Sequence, residues 1–212
     1  TTAIGHFEDV VGGNSFEVHF NLKMDGDRQR MVMLFLRDRK TIGYVPMYVT
    51  PGSFNLLGLC VHDEFRGAGL ASLFVAIWLE LCFRLGVAPL TDRISKPVIS
   101  IVLSKFGFRP ADKFVEVEVA KPDADGRVVV WSSKQGQLRS VFGKNFAISQ
   151  NMVLATEKPE STRTAQVNCR FLLSDQEATR RQVAALVGSG LRVLENQRAQ
   201  DLLTDLRAGA WP

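Results

Sequence analysis
Residues 54–85, FNLLGLCVHDEFRGAGLASLFVAIWLELCFRL, constrain the fold of this chain more than any other stretch. They read as an apolar strand, a short charged loop rich in glycine, and a long apolar helix. From Phe54 to Val61 only Asn55 and Cys60 interrupt the apolar run, as in a strand buried on both faces. His62, Asp63 and Glu64 cannot belong to such a strand. From Ser72 the chain is apolar again until Gly86, with Pro89 just beyond, which is the pattern of a helix and its stop. Residues 87–91 are short and apolar, and a helical crossover makes them a parallel neighbour of the first strand.

The loop between strand and helix carries the chemistry. The first turn of a helix leaves N–H groups without partners, and the peptide dipoles concentrate positive potential there. Gly67 and Gly69 let an anion approach those groups, and Arg66 adds a planar fork of donors suited to phosphate oxygens. Ala68, Leu70, Ala71 and Ser72 complete the turn. A tight turn that uses glycine only for its dihedral angles is the plainer alternative.

A longer match extends the anion-binding reading. The segment resembles the acyl-CoA site of the GNAT superfamily of acetyltransferases, whose signature is Arg or Gln, two residues, Gly, one residue, then Gly or Ala. Arg66, Gly69 and Ala71 fall in that register. Residues 103–108, LSKFGF, resemble a second block of the family, a short helix ending in Lys-x-Gly-Phe. The resemblance covers roughly residues 28–120. It implies an α/β (α+β) fold with a mixed, mostly antiparallel central sheet, a splayed parallel pair, flanking helices, and a C-terminal strand and helical extension. It also implies acetyl-CoA or another acyl-CoA as co-substrate and a short acyl group passed to an amine of unknown identity. Leu59, Cys60 and Val61 would line the pantetheine arm, and residues 66–72 would hold the pyrophosphate.

The chain departs from the family in several places. The two helices expected between the first strands have no room around Asp25-Gly26-Asp27. Leu103 stands where a tyrosine often protonates the leaving thiolate, and Lys96 stands where an asparagine is common. The central strand has no glutamate. The catalytic candidates left are Asp92 and Ser95 near the end of the parallel strand, Tyr48 on the strand before the central one, and His62 in the loop. Each has a plainer role as a cap, a packing ring or a solvated side chain. Two function classes therefore stand side by side: an acyltransferase, and a module that binds acyl-CoA without turnover. A dinucleotide site is a third, because Gly67-x-Gly69-x-x-Ser72 nearly fits its fingerprint. Five residues, 62–66, separate the strand from Gly67, however, and the preceding strands are paired as hairpins.

Three cysteines, Cys60, Cys82 and Cys169, lie in apolar contexts without metal-ligand spacing, which points to reduced thiols of a cytoplasmic protein and to no metal. The net charge of +4 suits a polyanionic coenzyme, and no basic cluster calls for nucleic acid. The apolar helix is too short to span a bilayer, so no membrane is expected.

In chain order, residues 1–14 suggest an irregular start. Residues 16–23, 31–36 and 41–49 read as strands, with Pro46 marking an edge or a bulge in the third. Ser95 is a candidate N-cap for a helix over 96–106 with Gly107 at its end. Residues 114–119 and 127–133 form an antiparallel pair. The acyl-CoA-binding core is expected to span 1–133. Residues 134–212 would be an extension of mixed patches over 138–154, a strand over 167–173, and two helices, one opened by a Ser174 capping box and one over 191–206. Those helices would pack on the core or join two copies as a homodimer.

Overall fold
The computed structural model describes residues 1–9, 11–144 and 152–209. It divides into two compact units, Thr1–Asp92 with Leu173–Pro212, and Arg93–Leu172.

The first unit opens with four long antiparallel strands, β1 (Thr2–Asp9), β2 (Asn14–Asp25), β3 (Arg28–Arg37) and β4 (Lys40–Thr50). Strand β1 replaces the irregular start expected over residues 1–14. A register shift between Ala3 and Gly5 breaks its alternation, which is why the sequence pattern concealed it. Next come β5 (Ser53–Leu56) and β6 (Cys60–Val61), which both pair with β4, then α1 (Leu70–Leu85) and β7 (Ala88–Thr91), parallel to β5.

The expected continuous strand over 54–61 is therefore two pieces, and Pro46 explains the break. Its carbonyl accepts from Leu57 N at 2.9 Å, so its nitrogen also faces the β5–β6 side, where it has no proton to give. The register changes across it. Met47 pairs with Leu56 but Tyr44 pairs with Cys60, so the partner strand carries one extra residue, a bulge. The β5–β7 pair ends where Asp92 N donates to Leu56 O at 2.8 Å. Beyond that point β6 pairs, among the described residues, with β4 alone, and the parallel pair parts.

Helix α1 is buried on nearly all sides. Phe74 stacks on Phe35 with centroids 3.8 Å apart and meets the edge of Phe16 at 5.6 Å. Glycine at position 43 makes room, because a Cβ there would overlap the Phe74 ring and the Cys60 carbonyl.

In the second unit, α2 (Pro97–Lys105), β8 (Phe108–Pro110), β9 (Val115–Val119), β10 (Val128–Trp131), α3 (Gln135–Phe142), β11 (Met152–Leu154), β12 (Arg163–Val167) and β13 (Phe171–Leu173) follow in order. A separate sheet, β11-β10-β9-β12, is antiparallel except for β10–β11 and buries Val117, Val119, Val130 and Val167 with Leu138 of α3. The N-cap of α2 is Lys96, without a side-chain cap, in place of Ser95. Pro97 at the first position tolerates this, since it has no N–H to satisfy. Asn168, at φ 56°, divides the strand expected over 167–173 into β12 and β13. The sequence-based reading of residues 138–154 falls partly on 145–151, outside the described residues. Two hydrogen bonds from Arg170 to the Asp112 side chain, at 2.9 and 3.1 Å, help hold that carboxyl down at about 2.

The chain returns to the first unit with α4 (Gln176–Val183), a π-helical turn over Ala184–Gly188, β14 (Leu191–Val193) and α5 (Gln197–Ala208). Asp175, one residue after the expected cap Ser174, accepts from Ala178 N at 2.9 Å. Val183 and Val187 are buried, but Leu186, which α-helical spacing from Val183 would place on the same face, is 57% exposed because the π turn shifts the helical phase. Residues 191–193 do not start a helix; they pair with β1 at the sheet edge. Arg84 of α1 bridges to Glu80 at 2.7 Å and donates to Leu191 O and Gly188 O at 3.0 Å each. The sheet order is β14-β1-β2-β3-β4-β5-β7, with β6 on β4. This is the mostly antiparallel sheet with one parting parallel pair, flanked by helices, that the sequence led us to expect. Among the described residues β5–α1–β7 is the parallel crossover of that sheet, unlike the successive crossovers of a dinucleotide fold.

Candidate acyl-CoA site
The loop before α1 has the geometry that its glycines allow. Gly67 and Gly69 sit at φ 85° and 74°, in the left-handed region, and a Cβ at either would meet no atom within 4 Å. Gly69 is the N-cap of α1, and the first bond of the helix is Leu73 N to Gly69 O at 3.3 Å. The N–H groups of Leu70, Ala71 and Ser72 precede it, and no acidic side chain stands in that first turn. Ala68 is exposed, Leu70 is buried and anchors the turn, and Ala71 and Ser72 are half-buried.

Strand β6 supplies a second set of backbone groups. His62 N donates to Ile42 O at 2.9 Å, so alternation along the ladder turns the N–H and C=O of Val61 away from β4. The outward carbonyl accepts from Arg66 Nε at 3.2 Å, which agrees with that direction. Cys60, Val61, His62, Asp63, Glu64 and Arg66 line one cavity of about 400 Å3. Arg66 also pairs with Asp63 at 2.8 Å, so the guanidinium is folded back toward the strand. Leu59 and Cys60 are half-buried beside the cavity.

The catalytic candidates are spread out. His62 is exposed at the cavity. Asp92 follows β7, next to Leu56. Tyr48 faces Asn55 across the ladder, about 13 Å along β4 from the residue opposite Cys60. There its hydroxyl donates to Asp25 Oδ2 at 3.2 Å, and the Arg28 guanidinium lies over its ring, 5.2 Å from the centroid. Ser95 belongs to the second unit.

Tyr44 was missed. It pairs with Cys60 and stacks edge-on to His62, with ring centroids 6.4 Å apart. A hydrogen bond to the Cys60 thiol, then the charge of that thiol and burial, hold the Tyr44 hydroxyl above its usual range. Alternation along 41–49 puts Tyr44 and Tyr48 on one face, so a sequence signal existed, but choosing between them needs the register at the bulge. Of the three thiols, burial pushes Cys82 well up and Cys169 to about 11, and Cys60 is the half-exposed one. Among the described residues no group of three or more His, Cys, Asp or Glu could hold a metal, and no helix is long and apolar enough to cross a membrane.

No protein-family model and no curated protein matches the chain. Among solved structures, the ribosomal-protein-S18-alanine N-acetyltransferase from Escherichia coli is similar at 19% identity and a TM-score of 0.36, over 49% of this chain and 66% of that one. The chain thus spans slightly less than two thirds of that enzyme's length.

Proposed function
We propose that this protein is an acyltransferase that moves an acetyl or other short acyl group from acyl-CoA to an amine. One observation carries the proposal: in the first unit, a left-handed glycine turn opening a helix adjoins a strand whose outward backbone pairs with no other strand among the described residues. Residues 66–72 would receive the pyrophosphate on the amides of Leu70, Ala71 and Ser72. Val61 N–H would meet the pantetheine arm or the thioester carbonyl, with Leu59 and Cys60 alongside. The coenzyme brings the activated acyl group. What the chain does is orient it and donate hydrogen bonds.

The test is titration of CoA against the protein by calorimetry, followed by thiol release from acetyl-CoA with a panel of amines. Arg66→Ala is expected to weaken CoA about 10-fold, the low end for a charge-assisted contact, because the phosphate must compete with Asp63 and Val61 O. Unchanged affinity would remove Arg66 from the site. A non-catalytic acyl-CoA-binding module is the second function, favoured by the buried Leu103 at the family's tyrosine position. CoA binding without thiol release would select it.

A further inference from the structure
The turn that would receive the pyrophosphate has few ties to the rest of the first unit. Of residues 62–69 only Phe65 is half-buried, and the others are exposed. Arg66 bonds to Asp63 and Val61, within the loop and the strand that feeds it, and Gly67 and Gly69 add backbone freedom. Among the described residues, one hydrogen bond or ring contact joins residues 63–69 to a part of the chain distant in sequence: the Arg37 guanidinium lies over the Phe65 ring, 5.9 Å from its centroid. Arg37 is itself held from the other side. Its Nε donates to Ser15 O at 3.2 Å and its Nη2 to Asn14 Oδ1 at 3.5 Å, both on β2. The β3–β4 hairpin closes next to it through Asp38 and Arg39, at φ 50° and 64°, a tight turn that fixes the end of β3. Glu17 and Asp38 line the same cavity of about 430 Å3 as Arg37. Glu17 is engaged by His19 at 2.7 Å and Asp38 is exposed, and among the described residues neither pairs with Arg37, so the charge of the guanidinium is left to the ring.

We propose that Arg37 is a positioning residue for the coenzyme: through Phe65 it holds residues 63–69 in place, so that Arg66 and the first-turn amides are set before the ligand arrives. This rests on the acyl-CoA reading of the loop. A glycine-rich segment left free would have to be ordered at binding, and that loss of entropy would weaken affinity. With the ring of Phe65 fixed against Arg37, the ordering is complete in the folded protein. Arg37 acts through Phe65 and makes no contact with the coenzyme in this scheme. Its effect therefore falls on binding and not on the transfer step.

The test is calorimetry with CoA on the full-length wild type, Arg37→Ala, Phe65→Leu, their double variant and Arg37→Lys. Arg37→Ala is expected to raise the Kd about 5-fold, the scale of an exposed contact between a cation and a ring. Phe65→Leu should match it, and the double variant should be within about 2-fold of either single one, because the two side chains act as a unit. Arg37→Lys keeps a cation but loses the planar fork, so its Kd should fall between those of wild type and Arg37→Ala. Amide hydrogen exchange over residues 63–69 should be faster in Arg37→Ala than in wild type without CoA, and equal in the two once CoA saturates them. A packing role alone would lower Tm and leave the Kd unchanged. That result, additive losses in the double variant, or unchanged exchange in the free variant would overturn the assignment of Arg37 and leave the binding site standing. Failure of wild type to bind CoA would overturn the acyl-CoA reading itself, and the role of Arg37 with it.

Discussion
Gly69→Val is expected to weaken CoA binding by about 100-fold, or ~2.7 kcal/mol, while leaving the fold assembled. The cause is local to the backbone. Position 69 sits at φ 74°, where a β-branched residue is a genuine outlier, and nothing within 4 Å would clash with the added Cβ. The penalty therefore comes from the dihedral angle, of order 1–3 kcal/mol, and not from a collision with the protein. The loop relaxes by leaving the left-handed region, and that turns the amides of Leu70, Ala71 and Ser72 away from a common point. Valine would also place methyl groups where a phosphate must approach. Calorimetry with CoA, paired with circular dichroism to confirm the helix content, measures the effect. Wild-type affinity in the variant would mean that this turn does not hold the ligand.

Arg84→Ala is expected to cost about 2 to 4 kcal/mol of stability in the first unit, a drop in Tm of about 5 to 15 °C. The guanidinium satisfies three groups at once: Glu80 at 2.7 Å, and the carbonyls of Gly188 and Leu191 at 3.0 Å each. Its removal strands a largely buried carboxylate on α1, the carbonyl at the end of the π turn and the first carbonyl of β14. Desolvation of a charge left unpaired is the larger part of that penalty. Pairing Arg84→Met with Glu80→Leu removes the stranded charge, so the double variant should recover part of the loss. Thermal unfolding by circular dichroism separates the cases, and a double variant no better than Arg84→Ala would point to lost packing instead.

The parts of the fold legible in the sequence are those in which residue type alone fixes the physics. Gly67 and Gly69 before an apolar run can hardly be anything but a turn into a helix, and α1 and β7 follow within two residues of their expected limits. Pro46 announced an edge or a bulge because it cannot donate a proton, and the structure shows a bulge that ends the β5–β6 continuity and opens the strand edge. Elements held by partners distant in sequence were hidden. Strand β14 has three residues and owes its conformation to the edge of β1, and β1 itself is disguised by its register shift. The same dependence on register concealed Tyr44, since only pairing with Cys60 distinguishes it from Tyr48. The helical phase that exposes Leu186 depends on a π turn that periodicity cannot foresee.

The most direct measurement is a crystal structure of the protein grown with CoA. Hydrogen bonds from the amides of Leu70, Ala71 and Ser72 to the pyrophosphate, and from Val61 N–H to the pantetheine arm or sulfur end, are the predicted result. Coenzyme bound elsewhere, or those amides facing solvent while CoA is present, would contradict the proposal that this turn and this strand edge form one binding site.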